Sequence, residues 1–426
     1  MTMRVIETFS GIGSQAKALK NLSKRNADFK YKIVATVEWE IGAMYAYDLI
    51  HHGPQDTSRY DDLSKDELIK MIEKFNISSD GKQPIKRSTI VRMPIEQLKA
   101  ILTSIDNNNN YVDISTVRAA DLPDADLLTY SFPCQDLSVS SYWHGNFSGI
   151  QKGVKNRSGL LWEIERILNE YENDGKMLPR FLLMENVSAI HSLLHEKNFK
   201  LWRKELERLG YSNRYYDLDA SDFGIPQSRL RTFMISIFTG DLDERQVNEI
   251  SHFFEETKLK AVNENPTIAD FLRLDYSNPV YLKEAFLSTP NNTSSREKIR
   301  DDSVVLATGS SPSLNIAKTI TTKQDRNPNA GIIIHNRDWG KAEYRNLTPR
   351  ETFLLMGFDE SDFQSLIDNN LRISKSRCML SHAKLLKLSG NSIVVNILEE
   401  IFSELSIVEK RIINNKKVVS FKPLAI

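Results

Sequence analysis

The stretch MRVIETFSGIGSQAKALKN, residues 3–21, predicts how this chain folds. A mostly apolar run over residues 3–9 is typical of a buried strand, residues 10–14 form a glycine-containing turn, and a helix pattern follows. Residues 32–39 and 41–50 repeat this order as a second strand and a second helix. Strands that alternate with helices indicate an α/β fold with a parallel sheet joined by crossover helices.

The same alternation continues to residue 238 with one interruption. Further strands are predicted over 125–130, 180–184, 214–219 and 231–237, and further helices over 159–171 and 199–209. Residues 51–110 interrupt the pattern, because they are polar and contain two predicted helices over 64–75 and 95–105. We interpret them as an insertion at the rim of the sheet, and the sequence assigns them no chemical role.

A second, smaller domain is predicted where the alternation ends. Residues 241–334 consist of short segments and polar loops, and predicted helices follow over 347–356 and 390–407. The predicted division is a first domain over 1–238, a second domain over 239–378, and a C-terminal helix over 379–426 that returns to the first domain. The length of 426 residues agrees with two domains, because single cores rarely grow past about 300 residues.

Composition restricts the class of protein but not its chemistry. Hydrophobic residues make up 40% and charged residues 26% of the chain, and the formal net charge is zero. These values are ordinary for a globular protein, and they argue against nucleic-acid binding by excess charge alone. A local basic face remains compatible with them.

The two cysteines, Cys134 and Cys378, are too few for a disulfide scaffold and lack the spacing of a metal site. We therefore expect a reducing compartment and no metal. The sequence contains neither an apolar secretory stretch near its start nor an apolar run as long as a membrane span. The chain is expected to be cytoplasmic, with no membrane partner.

The first strand–helix turn and the end of the second strand together favour an adenosine-containing cofactor. Glycines in the turn, Gly11 and Gly13, allow a ligand to approach the backbone. Glu38 ends the next strand, where a carboxylate binds a ribose diol, and Trp39 could stack on an adenine. The alternatives are a simple tight turn and an ordinary packed aromatic residue. No Walker loop is present, so a nucleoside triphosphate is not favoured.

Polar residues also follow later strands, at the edge where open α/β sheets bind ligands. Cys134 follows Pro133 there, which favours a reactive thiol, although a lone cysteine is by default a small buried hydrophobe. Glu185 could be a buried carboxyl with a raised pKa that donates a proton, or a helix cap.

Residues 227–231, QSRLR, open a predicted strand, and alternation places three polar side chains on one face. These are Gln227, Arg229 and Arg231. They either line a cleft or lie on an exposed face of the sheet.

The order of these motifs resembles that of the bacterial DNA cytosine-5 methyltransferases. The matching blocks are FSGIG (9–13), EW (38–39), PCQ (133–135), ENV (185–187), QSRLR (227–231), RNLTPRE (345–351) and GNS (390–392). Residues 129–139 and 157–168 resemble most the mycoplasma-type branch, which includes CpG-methylating enzymes. The resemblance implies a Rossmann-like methyltransferase domain that binds S-adenosylmethionine, releases S-adenosylhomocysteine and uses no metal, with a smaller target-recognition domain.

The resemblance also implies which residues hold the cofactor. Glu38 would bind the ribose and Trp39 would lie against the adenine. The remaining residues of the implied pocket are Phe9, Gly11, Ile12, Gly13, Asp113, Ile114, Leu161, Asn391 and Ser392.

The implied chemistry is addition of the Cys134 thiolate to cytosine C6, which makes C5 able to accept a methyl group. Glu185 would hold N3 and the exocyclic amine, and Arg231 would contact O2. Arg229 would support the site or bind a phosphate. Asn186 would order the loop that carries Pro133 and Cys134. The resemblance does not identify the base that removes the C5 proton, although bound water is a candidate.

Double-stranded DNA is the implied partner, with the target base flipped out of the helix. The loop over 138–156 would close on this base, and its aromatic residues over 142–147 would invade the duplex or fold on themselves. The second domain would recognise the target through residues 241–336. The candidate DNA contacts are Gln135, Ser138, Gln227, Thr319, Thr321, Lys323 and Arg326.

A monomer is expected, either as a solitary methylase or as half of a restriction-modification pair whose cognate endonuclease acts separately. Two rival functions stay open at this point. One is a transfer-RNA cytosine methyltransferase built on the same core, and the other is a non-catalytic nucleic-acid binder on a degenerate methylase fold.

Overall fold

The computed structural model describes residues 2–134, 137, 149–152, 157–257, 259, 266–335 and 337–413. The strands up to residue 238 are β1 (Thr2–Thr8), β2 (Lys30–Val37), β3 (Leu127–Tyr130), β4 (Phe181–Val187), β5 (Tyr211–Asp219) and β6 (Leu230–Phe238). The helices up to that residue are α1 (Ser14–Arg25), α2 (Ile41–His51), α3 (Lys65–Ile72), α4 (Arg87–Arg92), α5 (Ile95–Asn107), α6 (Leu161–Asn173) and α7 (Glu196–Arg208).

The six strands form one sheet in the order β2-β1-β3-β4-β6-β5. The first four strands are parallel, as predicted, but β6 runs antiparallel to both of its neighbours. The connection over residues 220–229 between β5 and β6 is too short for a crossover helix, so β6 must return beside β5 in the opposite direction. The predicted α/β fold with a parallel sheet is therefore confirmed for β1 to β4, whereas β6 adds an antiparallel strand.

Helices cover both faces of this sheet, and the strands alternate between two apolar cores. On β4, Phe181 and Leu183 belong to one core, whereas Leu182 and Met184 belong to the other. All four side chains are buried, because side chains on a strand alternate between its two faces and both faces are covered.

The inserted segment is folded and packs on the first domain. Its predicted helices are confirmed as α3 and α5, and α3 begins with a capping box between Ser64 and Glu67. Such a box satisfies two backbone groups at the start of a helix. Helix α5 packs against α2 and buries most of its residues.

The later residues form helices and a separate small sheet. The helices are α8 (Glu244–Glu256), α9 (Ile268–Phe271), α10 (Pro279–Ser288), α11 (Ser294–Asp302), α12 (Pro349–Leu354), α13 (Glu360–Asp368), α14 (His382–Asn391) and α15 (Val395–Val408). The strands are β7 (Val305–Thr308), β8 (Ser311–Pro312), β9 (Ile332–Ile334) and β10 (Tyr344–Asn346), in the order β10-β9-β7-β8.

The helix predicted over 390–407 is in fact two helices. Helix α14 ends at Asn391, Ser392 is extended with φ −77° and ψ 158°, and α15 starts at Val395. The serine hydroxyl and the β-branched residues after it favour this break. Helix α15 packs along α1, where Asn21 Nδ2 donates to Glu399 Oε1 at 2.7 Å.

A buried ion pair anchors α12. The Arg345 guanidinium binds both carboxylate oxygens of Glu351, at 2.8 and 2.7 Å, and both side chains are fully buried. Glu351 also accepts from the backbone N–H groups of Thr348 and Arg273. Burial alone would raise the pKa of Glu351, but Arg345 and these donors hold it below its usual value.

We predict that Arg345→Met lowers the free energy of unfolding by about 3–5 kcal/mol, because it leaves a buried carboxylate without its partner. Urea denaturation at neutral pH measures this loss. Since the folded-state pKa of Glu351 is lowered, the contribution of the pair is present at neutral pH and is lost as the pH falls through that pKa. The control, Arg245→Met, removes an exposed ion pair with Glu249 and should leave unfolding unchanged. Equal losses in the two variants would contradict the prediction.

Candidate active site

The carboxyl ends of the four parallel strands meet at one edge of the sheet. Residues 9–13 follow β1, Glu38 follows β2, Cys134 follows β3, and Glu185 lies near the end of β4. Strand β6 runs the other way, so its first residues lie at this same edge, and Arg231 pairs with Val187 in the register. The fold therefore brings together the main polar residues that the sequence singled out.

The turn after β1 depends on left-handed backbone conformations. Phe9, Gly11 and Gly13 have φ values of 55°, 56° and 81°. A Cβ atom at Gly13 would lie 2.2 Å from His51 Nε2, so a larger residue does not fit there. At Gly11 no atom lies within 4 Å of an added Cβ, which means that this part of the turn is bordered by open space. Such an open glycine turn allows a ligand to approach the backbone closely.

Glu38 is tied to this turn. Its Oε2 accepts from the Gly11 N–H at 3.0 Å, and its Oε1 accepts from the Glu40 N–H at 2.8 Å. Burial raises the pKa of Glu38 to about 7, although these two donors oppose the shift. Each carboxylate oxygen can accept a second hydrogen bond, so the carboxylate can still bind a ribose diol. Trp39 is half-buried and packs on the core beside it. The open turn and this carboxylate fit an adenosine group.

The other predicted cofactor residues lie on separate segments. The Ser392 and Ser14 hydroxyls form a hydrogen bond at 2.7 Å, which joins the break after α14 to the turn after β1. Ile12, Ile114 and Leu161 are buried, whereas Asn391 is exposed at the end of α14. Asp113 is half-buried and accepts hydrogen bonds from Asn76 and from Ser115.

Cys134 lies on a short loop that is held from two sides. Asn186 Nδ2 donates to the Phe132 carbonyl at 2.9 Å, and Ser158 Oγ donates to the Pro133 carbonyl at 2.7 Å. Burial raises the pKa of the Cys134 thiol, while the positive charge of Arg231 acts in the opposite direction. The thiol is therefore mostly protonated at neutral pH, and a nearby cation favours its ionisation.

Glu185 and Arg231 are neighbours across the β4–β6 pair. Arg231 Nε lies 3.5 Å from Glu185 Oε1, and their side chains are 17% and 13% exposed. Burial raises the pKa of Glu185, and Arg231 opposes this effect. A carboxyl and a guanidinium at the same partly open position can contact different edges of one planar base.

Arg229 is buried and supports the site from behind. Its Nη1 donates to the Ile320 carbonyl at 2.8 Å, and its Nη2 donates to the carbonyls of Gly390 at 3.1 Å and Ser392 at 2.8 Å. Burial lowers the pKa of Arg229 to about 9, and the charge of Arg231 adds to that effect. Of the two roles considered for Arg229, this placement fits support of the site and not contact with a phosphate.

Gln227 does not fit the predicted DNA contact. Its side chain is fully buried, its Nε2 donates to the Leu355 carbonyl at 2.8 Å, and its Oε1 accepts from the Ile320 N–H at 2.9 Å. Both ends of the amide are therefore occupied by backbone groups. The alternation of side chains along a strand correctly predicts that Gln227 and Arg229 lie on the opposite face from the exposed Leu230. It does not reveal that their face points into the protein interior.

The threonine segment lies beside the residues that precede β6. Thr319 Oγ1 donates to the Ser228 carbonyl at 2.7 Å, and a Cβ at Gly390 would lie 2.5 Å from the carbonyl carbon of Thr321. Lys323 and Arg326 follow this segment and are exposed. Gln135, Ser138 and the aromatic residues over 142–147 lie outside the described residues.

The sequence interpretation missed Asn110. Its Oδ1 accepts from the Glu38 N–H at 3.0 Å and its Nδ2 donates to the Glu38 carbonyl at 2.9 Å, so it holds the backbone of the predicted ribose-binding residue. The run of four asparagines over 107–110 ends the insertion, to which the sequence assigned no chemical role. No pattern in the sequence indicates that its last member bonds to Glu38.

Within the part of the chain that the structure describes, no cluster of three or more His, Cys, Asp or Glu side chains could hold a metal ion. Among the same residues, no helix is both long and apolar enough to cross a membrane.

Comparison with known proteins identifies the family. The family model for C-5 cytosine-specific DNA methylases matches residues 91–406. The orphan methyltransferase M.SssI of Spiroplasma monobiae is 32% identical over 415 residues, which cover 95% of this chain and 97% of that protein. The type II methyltransferase M2.ScrFI of Lactococcus lactis subsp. cremoris is 33% identical over 404 residues, which cover 95% of this chain and 99% of that protein.

A solved structure supports the fold. The crystal structure of S. pombe Dnmt2 methyltransferase aligns with a TM-score of 0.56 and 20% identity, and the alignment covers 96% of this chain and 99% of that one. Because the family model matches more than half of the chain, and two relatives above 30% identity extend over nearly all of it, the chain belongs to the C-5 cytosine-specific DNA methylase family.

Proposed function

We propose that this enzyme methylates C5 of a flipped cytosine within a specific duplex DNA sequence, through a covalent bond to Cys134. The observation that carries the proposal is the meeting of Cys134, Glu185 and Arg231 at the ligand-binding edge of the sheet. Glu38, the open glycine turn and Ser392 are the residues that would hold S-adenosylmethionine, which supplies an electrophilic methyl group when bound.

Cys134 begins the reaction. Its thiol loses a proton, and the thiolate forms a bond from Sγ to cytosine C6, which shifts an electron pair toward C5. C5 then acquires the methyl group and loses its proton to a base, for which bound water is a candidate. As that proton leaves, the Sγ–C6 bond breaks and the thiolate is released. The thiolate then takes up a proton, so the enzyme returns to its starting thiol state.

Glu185 and Arg231 stabilise the charge that this addition creates in the ring. Since burial raises the pKa of Glu185, its carboxyl can keep a proton and share it with N3 while it accepts from the exocyclic amine. Arg231 would bind O2. Both contacts strengthen as negative charge develops on the ring, which is the requirement for lowering the barrier.

The rest of the proposal concerns the substrate. A base stacked within a duplex cannot reach Cys134, so the enzyme flips it at a cost of about a few kcal/mol. We assign target recognition to residues 239–378, with Thr319, Thr321, Lys323 and Arg326 toward the DNA. Lys323 and Arg326 are exposed, which agrees with this role, but no target sequence follows from it.

The biological setting is also part of the proposal. We infer a cytoplasmic monomer that acts either in a restriction-modification pair, with an endonuclease that works separately, or alone. The names of the relatives include both kinds, a type II methyltransferase and an orphan methyltransferase.

We predict that Cys134→Ser lowers methyl transfer to duplex DNA by at least about a thousandfold, because a serine hydroxyl ionises far less readily than a thiol. Tritiated S-adenosylmethionine with duplex DNA and bulk transfer RNA measures the transfer, and bisulfite sequencing then gives the target. Cys378→Ser is the matched control and should retain activity, since this second half-buried cysteine lies between α13 and α14, where it pairs with Arg372. Transfer to RNA alone would favour the transfer-RNA function, and transfer to neither nucleic acid would contradict catalysis.

We also predict that Arg231→Met lowers kcat/KM by about 10- to 100-fold and moves the rise of its pH profile to higher pH. The sign follows from the charges, because Arg231 lowers the pKa of Cys134 and its removal makes the thiolate harder to form. Measurements of kcat/KM from pH 6 to pH 10 separate the fall in kcat/KM from the shift of the pH profile. A lower kcat/KM with an unshifted profile would mean that Arg231 does not act on the thiol.

A further inference from the structure

The insertion contacts the first domain at the backbone of the predicted ribose-binding residue. Asn110, at the end of the insertion, pairs with Thr36 as a parallel bridge, and its side-chain amide bonds to both the N–H and the carbonyl of Glu38. Asn110 is buried, so these bonds are shielded from water. The end of the insertion thus pairs alongside the edge strand β2 and fixes the direction in which Glu38 leaves that strand.

A second contact holds the next residue. The Ser78 N–H donates to the Trp39 carbonyl at 2.7 Å, and the Ser78 carbonyl accepts from the Ile41 N–H at 2.8 Å. Ser78 is fully buried, and its hydroxyl closes a tight turn by donating to the Gln83 carbonyl at 2.7 Å. This turn fixes the backbone on both sides of Glu40, between Trp39 and the start of α2.

A third contact reaches Asp113, and a fourth reaches the C-terminal segment. Asn76 Nδ2 donates to Asp113 Oδ2 at 2.9 Å. From α14, Lys384 Nζ donates to the Ser79 carbonyl at 2.8 Å and also pairs with Glu40, and Lys387 Nζ donates to the Asp80 carbonyl at 2.5 Å. Helix α14 leads directly to Asn391 and Ser392.

The insertion therefore bonds to two segments that the resemblance assigns to the cofactor, one with Glu38 and Trp39 and one with Asp113. It also bonds to α14, the helix that leads to a third such segment. We propose that residues 76–110 are an adenosine clamp, in which Asn110 and Asn76 position Glu38 and Asp113 and thereby set the affinity for S-adenosylmethionine. This inference rests on the proposed cofactor but not on the proposed substrate.

A purely structural insertion would make a different pattern of contacts. Its bonds would be spread over the surface of the first domain, and its loss would lower folding stability without a selective effect on any ligand. Further bonds of the insertion hold it on α2, whereas those described here end on Glu38, Trp39 and Asp113, which the family resemblance assigns to the cofactor pocket. Preorganised groups lower the cost of ordering a site when a ligand binds.

The test is calorimetric titration of the full-length protein with S-adenosylhomocysteine, without DNA. Asn110→Ala should raise Kd about tenfold, and Asn76→Ala, at an exposed position, about threefold, because each loses a hydrogen bond that holds a ligand-binding group. KM for S-adenosylmethionine should rise by the same factors, while kcat and KM for DNA change less than about twofold.

The matched control is Asn21→Ala. This asparagine also donates to a carboxylate, Glu399, but between α1 and α15, and its loss should leave Kd unchanged. If Asn110→Ala does not fold, the Kd of Asn76→Ala for S-adenosylhomocysteine alone tests the clamp. An unchanged Kd in the folded variants, or an equal fall of every kinetic constant together with the melting temperature, would overturn the clamp.

The wild-type protein separates this inference from the proposed function. Binding of S-adenosylhomocysteine with no methyl transfer to DNA would contradict the proposed function, and the clamp would still be judged by the variants. A wild-type protein that binds no S-adenosylhomocysteine would overturn the clamp.

Discussion

The buried guanidinium of Arg229 connects β6 to two segments that lie far along the chain. A charge in a protein interior is tolerated only where hydrogen-bond partners surround it, and here three backbone carbonyls from two distant segments supply them. One carbonyl belongs to Ile320, in the segment that precedes the residues proposed to contact DNA, and two belong to the turn at Gly390 and Ser392. Arg229 therefore fixes this segment and the turn, which is proposed to contact the cofactor, relative to β6, which also carries Arg231.

Much of the site could be predicted from the sequence, because its residues follow strand ends. Each of Cys134, Glu185 and Glu38 comes directly after or near the end of an apolar run, and parallel strands bring such ends to one edge. The glycine turn was equally clear, since Gly11 and Gly13 adopt conformations that other residues rarely reach. Local sequence patterns are therefore enough to predict the site residues whose positions follow directly from the strand ends and the glycine turn.

The parts that the sequence did not reveal depend on contacts between distant residues. The direction of β6 depends on the length of a connection, and the burial of Gln227 depends on Ile320 and Leu355, which lie far along the chain. The insertion is the clearest case. Nothing in its polar composition indicates that Asn110 binds Glu38, because that bond exists only when α5 packs against α2.

The central claim is that Cys134 forms a covalent bond to the target base. The direct measurement uses duplex DNA of mixed sequence in which 5-fluorocytosine replaces cytosine, incubated with S-adenosylmethionine. Fluorine at C5 cannot leave as a proton does, so release of the thiol is blocked and the Sγ–C6 bond persists. We expect a stable protein–DNA complex whose peptide map places the adduct on Cys134. Transfer to ordinary DNA with no trapped complex, or an adduct on Cys378, would contradict the account.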